Sequence, residues 1–228
     1  MPEFLPRLDI LPAAQMRLWG ELSGVPSEFV LYGGTALALH LGHRHSEDFD
    51  FFGNRSFDVE ALQAAIPFLK DAAVVQRASS TLTAIVERGG PVKVSFFGVP
   101  ELPRLRPPHL AEQNGLQVAS LLDLAGTKAS VVQTRAEVRD YLDMDALMRL
   151  GRIDLPAALA AAGTIYGKSF NPEITLKALC YFEDGNLRGL PEDLKRRLMT
   201  AARAVDLDHL PRVDVSVPTA VHDHGAEP

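Results

Sequence analysis

Four prolines within nine residues, at positions 100, 103, 107 and 108, separate two stretches whose hydrophobic patterns have different periods. A run so poor in backbone donors continues neither a helix nor a central strand, so the change of pattern across it divides the chain. Before it, short apolar or alternating runs predict strands over 28–32, 48–52, 73–77, 82–87 and 92–99. The last two are joined as a hairpin through Arg88-Gly-Gly-Pro91. Helical spacing occurs over 12–22, over 36–41 with Thr35 as its cap, and from Asp58 to Lys70. After the prolines the spacing predicts helices over 117–132, 136–150, 155–162, 171–182 and 191–205. The pattern predicts an α+β chain: a mixed-sheet lobe over 1–110, a helical C-terminal lobe over 111–210 and a flexible tail over 211–228.

Charge and composition narrow the function classes. Twenty-three Lys and Arg against 29 Asp and Glu give a net charge of −6, which excludes a uniformly basic nucleic-acid coat but not a local basic patch. The single cysteine, Cys180, makes neither an internal disulfide nor a zinc cluster, as suits a reducing compartment. No apolar run approaches the roughly 18 residues that span a bilayer, and the start MPEFLPRLDI does not read as a secretory signal. The expectation is a cytoplasmic protein without membrane association.

The stretch with most chemical content is Leu31-Tyr-Gly-Gly-Thr35 followed by Asp48-Phe-Asp50. On a strand, residues i and i+2 share a face, so Asp48 and Asp50 project side by side. Carboxylates that close repel unless a cation lies between them, and hard oxygen ligands with residual waters suit Mg²⁺ (or Mn²⁺) carrying nucleotide phosphates. Gly33 and Gly34, between a strand and a helix, let backbone N–H groups approach a phosphate at a positive helix end. The bland alternatives are a solvated strand face and a tight turn. His40, His43, Arg44 and His45, with Ser46, read as a basic loop beside that phosphate site rather than as zinc ligands. Lys128 falls on the apolar stripe of its helix, where it must snorkel or meet an anion. Asp143, four residues after Arg139, reads as its ion-pair partner, whereas Asp140 has no cationic neighbour one turn away. Cys180 reads as core, and the tail's His222 and His224 as a solvated end. Arg104, Arg106 and His109, and the run Lys195-Arg196-Arg197, are either solvated faces or contacts for an RNA backbone.

These residues carry a resemblance. Gly-Gly-Thr-Ala-Leu at 33–37, a short spacer and Asp48-Phe-Asp-Phe51 look like the nucleotidyltransferase signature of the DNA polymerase β superfamily. More closely, GGTALALHLGHRHSEDFDFF resembles the AbiEii/AbiGii-type toxin nucleotidyltransferases. Lys128 in AGTKASVVQTR, Arg139-Asp140-Tyr-Leu-Asp143 and FNPEITLKALCYFEDG resemble that family's later segments. The likeness spans residues 28–185 and implies a nucleotidyltransferase-fold sheet lobe. It also implies a metal-dependent toxin of a toxin–antitoxin or phage-defence pair that moves a nucleotide from an NTP to an acceptor such as tRNA, with a cognate antitoxin as partner. By position it implies that Gly33, Gly34 and Thr35 hold the triphosphate and that Asp48 and Asp50 carry Mg²⁺. Lys128 would contact phosphate, and Asp140 would act as acid/base or orienter. One departure stands out. Where the family pattern places a third strand carboxylate, this chain has Ser95, which cannot ionise to activate a hydroxyl. A binding protein with lost catalysis is therefore the competing reading, and a metal-dependent phosphodiesterase a third.

Overall fold

The computed structural model describes residues 2–215. In chain order its elements are β1 (Glu3–Phe4), α1 (Ala13–Trp19), β2 (Phe29–Tyr32), α2 (Gly33–Leu41), β3 (Asp48–Gly53) and α3 (Val59–Ala65). β4 (Ala73–Ala78), β5 (Thr81–Glu87), β6 (Pro91–Gly98), β7 (His109–Ala111) and β8 (Gln117–Val118) complete one eight-stranded mixed sheet. The helices α4 (Leu121–Val131), α5 (Val138–Arg149), α6 (Leu155–Tyr166), α7 (Pro172–Ala178) and α8 (Glu192–Arg203) follow. The strand order is β1-β7-β8-β2-β3-β6-β5-β4.

The central strands follow from their side chains. All of β2 is buried, as its uninterrupted apolar run requires. In β3, Phe49 and Phe51 point into the core while Asp48, Asp50 and Phe52 take the opposite face. Phe51 stacks on Phe96 of β6 at 5.0 Å between ring centroids. β6 runs parallel to β3, and β5 pairs antiparallel with β6 as the predicted hairpin. Buried apolar residues of the sheet and of the later helices belong to one connected core.

Four expectations change. Gln117 and Val118 do not open a helix: Val118 pairs with Leu31 and extends the sheet, and α4 begins after Ser120, whose hydroxyl accepts from the Asp123 amide. The expected boundary at residue 110 thus falls inside the β7–β8 hairpin, and strands continue to Val118. Thr35 is no cap, because α2 starts at Gly33 straight from β2. Of the expected tail, residues 211–215 lie against α6, where the Thr164 hydroxyl donates to the Val213 carbonyl; the rest, with His222 and His224, lies outside the described residues. The proline-rich connection is fixed by buried Asp123, whose carboxylate accepts from the backbone amides of Leu105 and Arg106.

Candidate active site

Parallel register aligns Asp48 with Lys93 and Asp50 with Ser95, so four polar side chains share one face of β3 and β6. Lys93 Nζ lies 2.9 Å from Asp48 Oδ2. Ser95 is buried beside Asp50. Burial pushes the Asp50 carboxyl above the ordinary range, and the neighbouring Asp48 charge adds to that rise; Lys93 acts in the opposite direction.

The turn from β2 to α2 supports this face. Gly33 has φ +73°, open to glycine but strained for other residues, and a Cβ there would lie 3.1 Å from Asp50 Oδ2. Gly34 backs onto the Arg44 guanidinium and Ser46, so that a Cβ would come within 3.0 Å of the Ser46 hydroxyl and still closer to Arg44. Thr35, expected at the triphosphate, is instead buried inside α2, where its hydroxyl donates to the Asp48 carbonyl. It anchors the end of β3 and is not among the residues lining the cleft.

Across the cleft stands a buried ionic network. Lys128 Nζ meets Asp140 Oδ1 at 2.9 Å and Asp143 Oδ2 at 2.6 Å. Asp143 also accepts from Arg44 through Nε at 2.6 Å and Nη2 at 2.9 Å, and lies 2.7 Å from His43 Nε2. Asp140 accepts from Arg135 through Nε and Nη2 at 2.8 and 2.9 Å. Both carboxylates are fully buried. Burial alone would raise them, but hydrogen bonds from His43 and Arg44 with the Lys128 charge hold Asp143 well below the usual carboxylate range. Hydrogen bonding by Arg135 and the Lys128 charge do the same for Asp140.

Asp143 therefore does not pair with Arg139, which turns to Glu137 at 2.7 Å, and Asp140 has two cationic partners from outside its own helix. Neither carboxylate lines the cleft. Asp140 is thus held by Lys128 and Arg135.

The cleft between the two walls has a volume of about 680 Å³. Its polar lining comprises Gly33, Gly34, Ser46, Glu47, Asp48, Asp50 and Lys93 together with Arg44, Lys128, Arg135 and Arg139. Tyr32, Phe52, Phe97, Leu102, Val131 and Tyr166 also line it. Two carboxylates beside a glycine turn, with room where a Gly33 Cβ would crowd Asp50, are a donor set that fits a divalent ion also held by phosphate oxygens.

Several candidates are not brought here. His40 stacks on Phe4 at 4.4 Å, and its Nε2 lies 2.9 Å from the Ala119 carbonyl. Burial takes its pKa down to about 4, so it adds no charge to a basic loop at neutral pH. His45 is tied to the Ile10 carbonyl through Nδ1, although it borders the cleft. Arg104 and Arg106 donate to backbone carbonyls, and Lys195 and Arg197 pair with acids on or near α8. The sequence reading missed Lys93 and Arg135. Lys93 is recoverable from period two, standing two residues before Ser95 on the same strand; Arg135, in the turn before α5, carries no such signal.

Comparison with known proteins bears on the family and the fold. A family model described as the nucleotidyl transferase AbiEii toxin of a type IV toxin–antitoxin system matches residues 17–216. An uncharacterized protein from Aquifex aeolicus (strain VF5) is 32% identical over 163 residues, 71% of this chain and 77% of that one. A crystal structure from H. pylori, assigned as a nucleotidyltransferase, superposes with a TM-score of 0.53 at 19% identity, covering 83% of this chain and 92% of the other. MenT4, a nucleotidyltransferase toxin from Mycobacterium tuberculosis H37Rv, superposes with a TM-score of 0.55 at 15% identity over 83% of each chain. These two superpositions speak for the fold.

Proposed function

The chain belongs to the AbiEii family of nucleotidyl transferase toxins, and from that premise we propose that it moves a nucleotide from an NTP to a hydroxyl of an RNA acceptor, tRNA being the first candidate, in a divalent-metal-dependent reaction. One observation supports the reading: Asp48 and Asp50 line one cleft together with Lys128 and the Gly33-Gly34 turn, against which the Arg44 guanidinium packs.

In the transfer, the acceptor oxygen bonds to the α-phosphorus, the bond from that phosphorus to the bridging oxygen breaks, pyrophosphate leaves and the hydroxyl proton passes to solvent water. Asp48 and Asp50 would hold Mg²⁺ or Mn²⁺, which when bound offsets phosphate charge and polarises phosphoryl oxygens. The Gly33-Gly34 backbone at the start of α2 takes the triphosphate with Ser46 and the Arg44 guanidinium beside it, and Lys128 adds a further positive charge. Asp140 and Asp143 fix those two cations as positioning residues. The base and ribose lie against Tyr32, Phe52 and Tyr166. Arg135 and Arg139, half-exposed at the mouth, suit an incoming phosphate backbone. A cognate antitoxin and a cytoplasmic setting go with the same proposal.

Purified chain incubated with Mg²⁺, total tRNA and each α-labelled NTP in turn is expected to yield labelled RNA with one NTP or more, and Asp50→Asn none. Nucleotide binding without label transfer would support the binding-only reading instead. Absence of both would overturn the proposal.

A further inference from the structure

Polymerase-type transfer commonly uses two metal ions a few ångströms apart, shared among carboxylates. Here the carboxylate supply is short. Ser95 occupies the position beside Asp50 where a third acid would stand, and is buried there. Among the described residues no group of three or more His, Cys, Asp or Glu is arranged to hold a metal.

The same strand supplies a cation instead. Lys93 is two residues before Ser95 on the same face, lines the cleft, and holds Asp48 Oδ2 at 2.9 Å. The other buried cations are committed elsewhere, Lys128 to Asp140 and Asp143, and Arg44 to Asp143. Lys93 is therefore the ammonium that sits directly on the carboxylate pair. Asp48 and Asp50 less the Lys93 ammonium leave a single net negative charge on this face of β3 and β6, with the exposed Glu47 bordering the cleft beside it. That suits one divalent ion with its triphosphate; a second ion would have to displace Lys93 and share the same two acids. A lysine ammonium is a compact point charge on a mobile stem, the side-chain group most like a small cation.

We propose that Lys93 takes the place of a second divalent ion, so that this chain works with one bound metal where polymerase-type sites use two. The proposal rests on the nucleotidyl-transfer reading. The bland alternative is a partly exposed ion pair, since 43% of Lys93 and 31% of Asp48 is accessible, and such pairs contribute about 0–1 kcal/mol.

The test counts ions. The full chain is mixed with the α,β-methylene analogue of each of the four ribonucleoside triphosphates in turn, and Mn²⁺ is titrated in while electron paramagnetic resonance measures the free ion. One Mn²⁺ per chain–nucleotide complex is expected. Two in the unaltered chain would overturn the role of Lys93 while leaving nucleotidyl transfer standing; none with any analogue would overturn both. Lys93→Gln, at a partly exposed position, is expected to admit a second Mn²⁺. It should lose roughly 10²-fold in transfer at low Mn²⁺, the usual cost of removing one charge-stabilising donor, and regain it as Mn²⁺ rises. Lys93→Arg is expected to keep the single-ion count. A Lys93→Gln chain with unchanged stoichiometry and unchanged Mn²⁺ dependence would reduce Lys93 to a surface pair and sink the proposal.

Discussion

Asp50 carries its negative charge at a cost, because burial and Asp48 both resist its ionisation. Its folded pKa is raised, so its contribution to stability is present below the unfolded value of about 4 and is lost as pH rises through the folded one. Metal-free Asp50→Asn is therefore expected to match the parent near that acid limit and to melt higher at neutral pH, with Mg²⁺ plus nucleotide narrowing the gap. Paired melts across the range check it, and an Asn variant less stable at neutral pH would contradict it. Asp143 runs the other way. Its folded pKa is held low by His43, Arg44 and Lys128 against its own burial, so its contribution exists above the unfolded value and is lost as pH falls. Asp143→Ala strands Arg44 and Lys128 and is expected to cost about 3–5 kcal/mol in urea unfolding, where the sequence reading of an Arg139 pair implies about 0.2–0.5 kcal/mol. A loss below 1 kcal/mol would argue against the buried network. Asp140→Asn is expected to weaken nucleotide binding along with transfer, because Lys128 loses one of its two partners; isothermal titration with an NTP analogue measures this. The alternation that puts Asp48 and Asp50 on one face is legible in the sequence. Asp143's partners are not: Arg44 and His43 stand 99 and 100 residues away, and helix spacing offers a nearer false partner.

At the scale of elements, the placement of Lys128 depends on how closely α4 approaches α6. A Cβ on Gly126 would lie 2.8 Å from Ile165 Cδ1 and 3.0 Å from backbone atoms of Ala161 and Ala162. Two effects compete in Gly126→Ala. Helix propensity favours alanine by about 0.8–1.0 kcal/mol, while overpacking a filled contact costs typically 1–3 kcal/mol. Because two of the three opposing atoms are backbone, overpacking should prevail: the variant is expected to melt lower and to bind nucleotide less well as α4 shifts. A higher melting temperature would show that the two helices separate easily. Helices α3, α6 and α7 are legible because caps and apolar spacing agree: Asp58 accepts from the Ala61 amide, Asp154 from the Ala157 amide and Asn171 from the Glu173 amide. The stretch 117–118 is not, since two residues have no period of their own and pair as a strand only because Leu31 lies alongside.

For the whole molecule, the cleft draws its carboxylates from the sheet and most of its cations from α4, α5 and the turn between them, so a ligand that bridges them should tighten the entire chain. An NTP with Mg²⁺ at 100 times its Kd stabilises by about 2.7 kcal/mol, and a rise in melting temperature that needs both components is expected. Gly34→Val should abolish the rise, since its side chain would press on Arg44 and Ser46; an undiminished rise would remove the glycine turn from the binding site. The division into a sheet-rich beginning and a helical end is visible in the sequence, yet how the halves meet is not, because it depends on contacts a hundred residues long. That distance has a consequence in the ribosome. The carboxylate pair is translated early, and Arg44 must wait for Asp143. From Asp50 to Lys128 the chain grows by 78 positions, roughly 4–16 s at about 5–20 residues per second. During that interval a nascent chain has the acidic wall of the cleft but no cationic wall facing it, so chains abandoned before residue 128 are expected to be inert fragments.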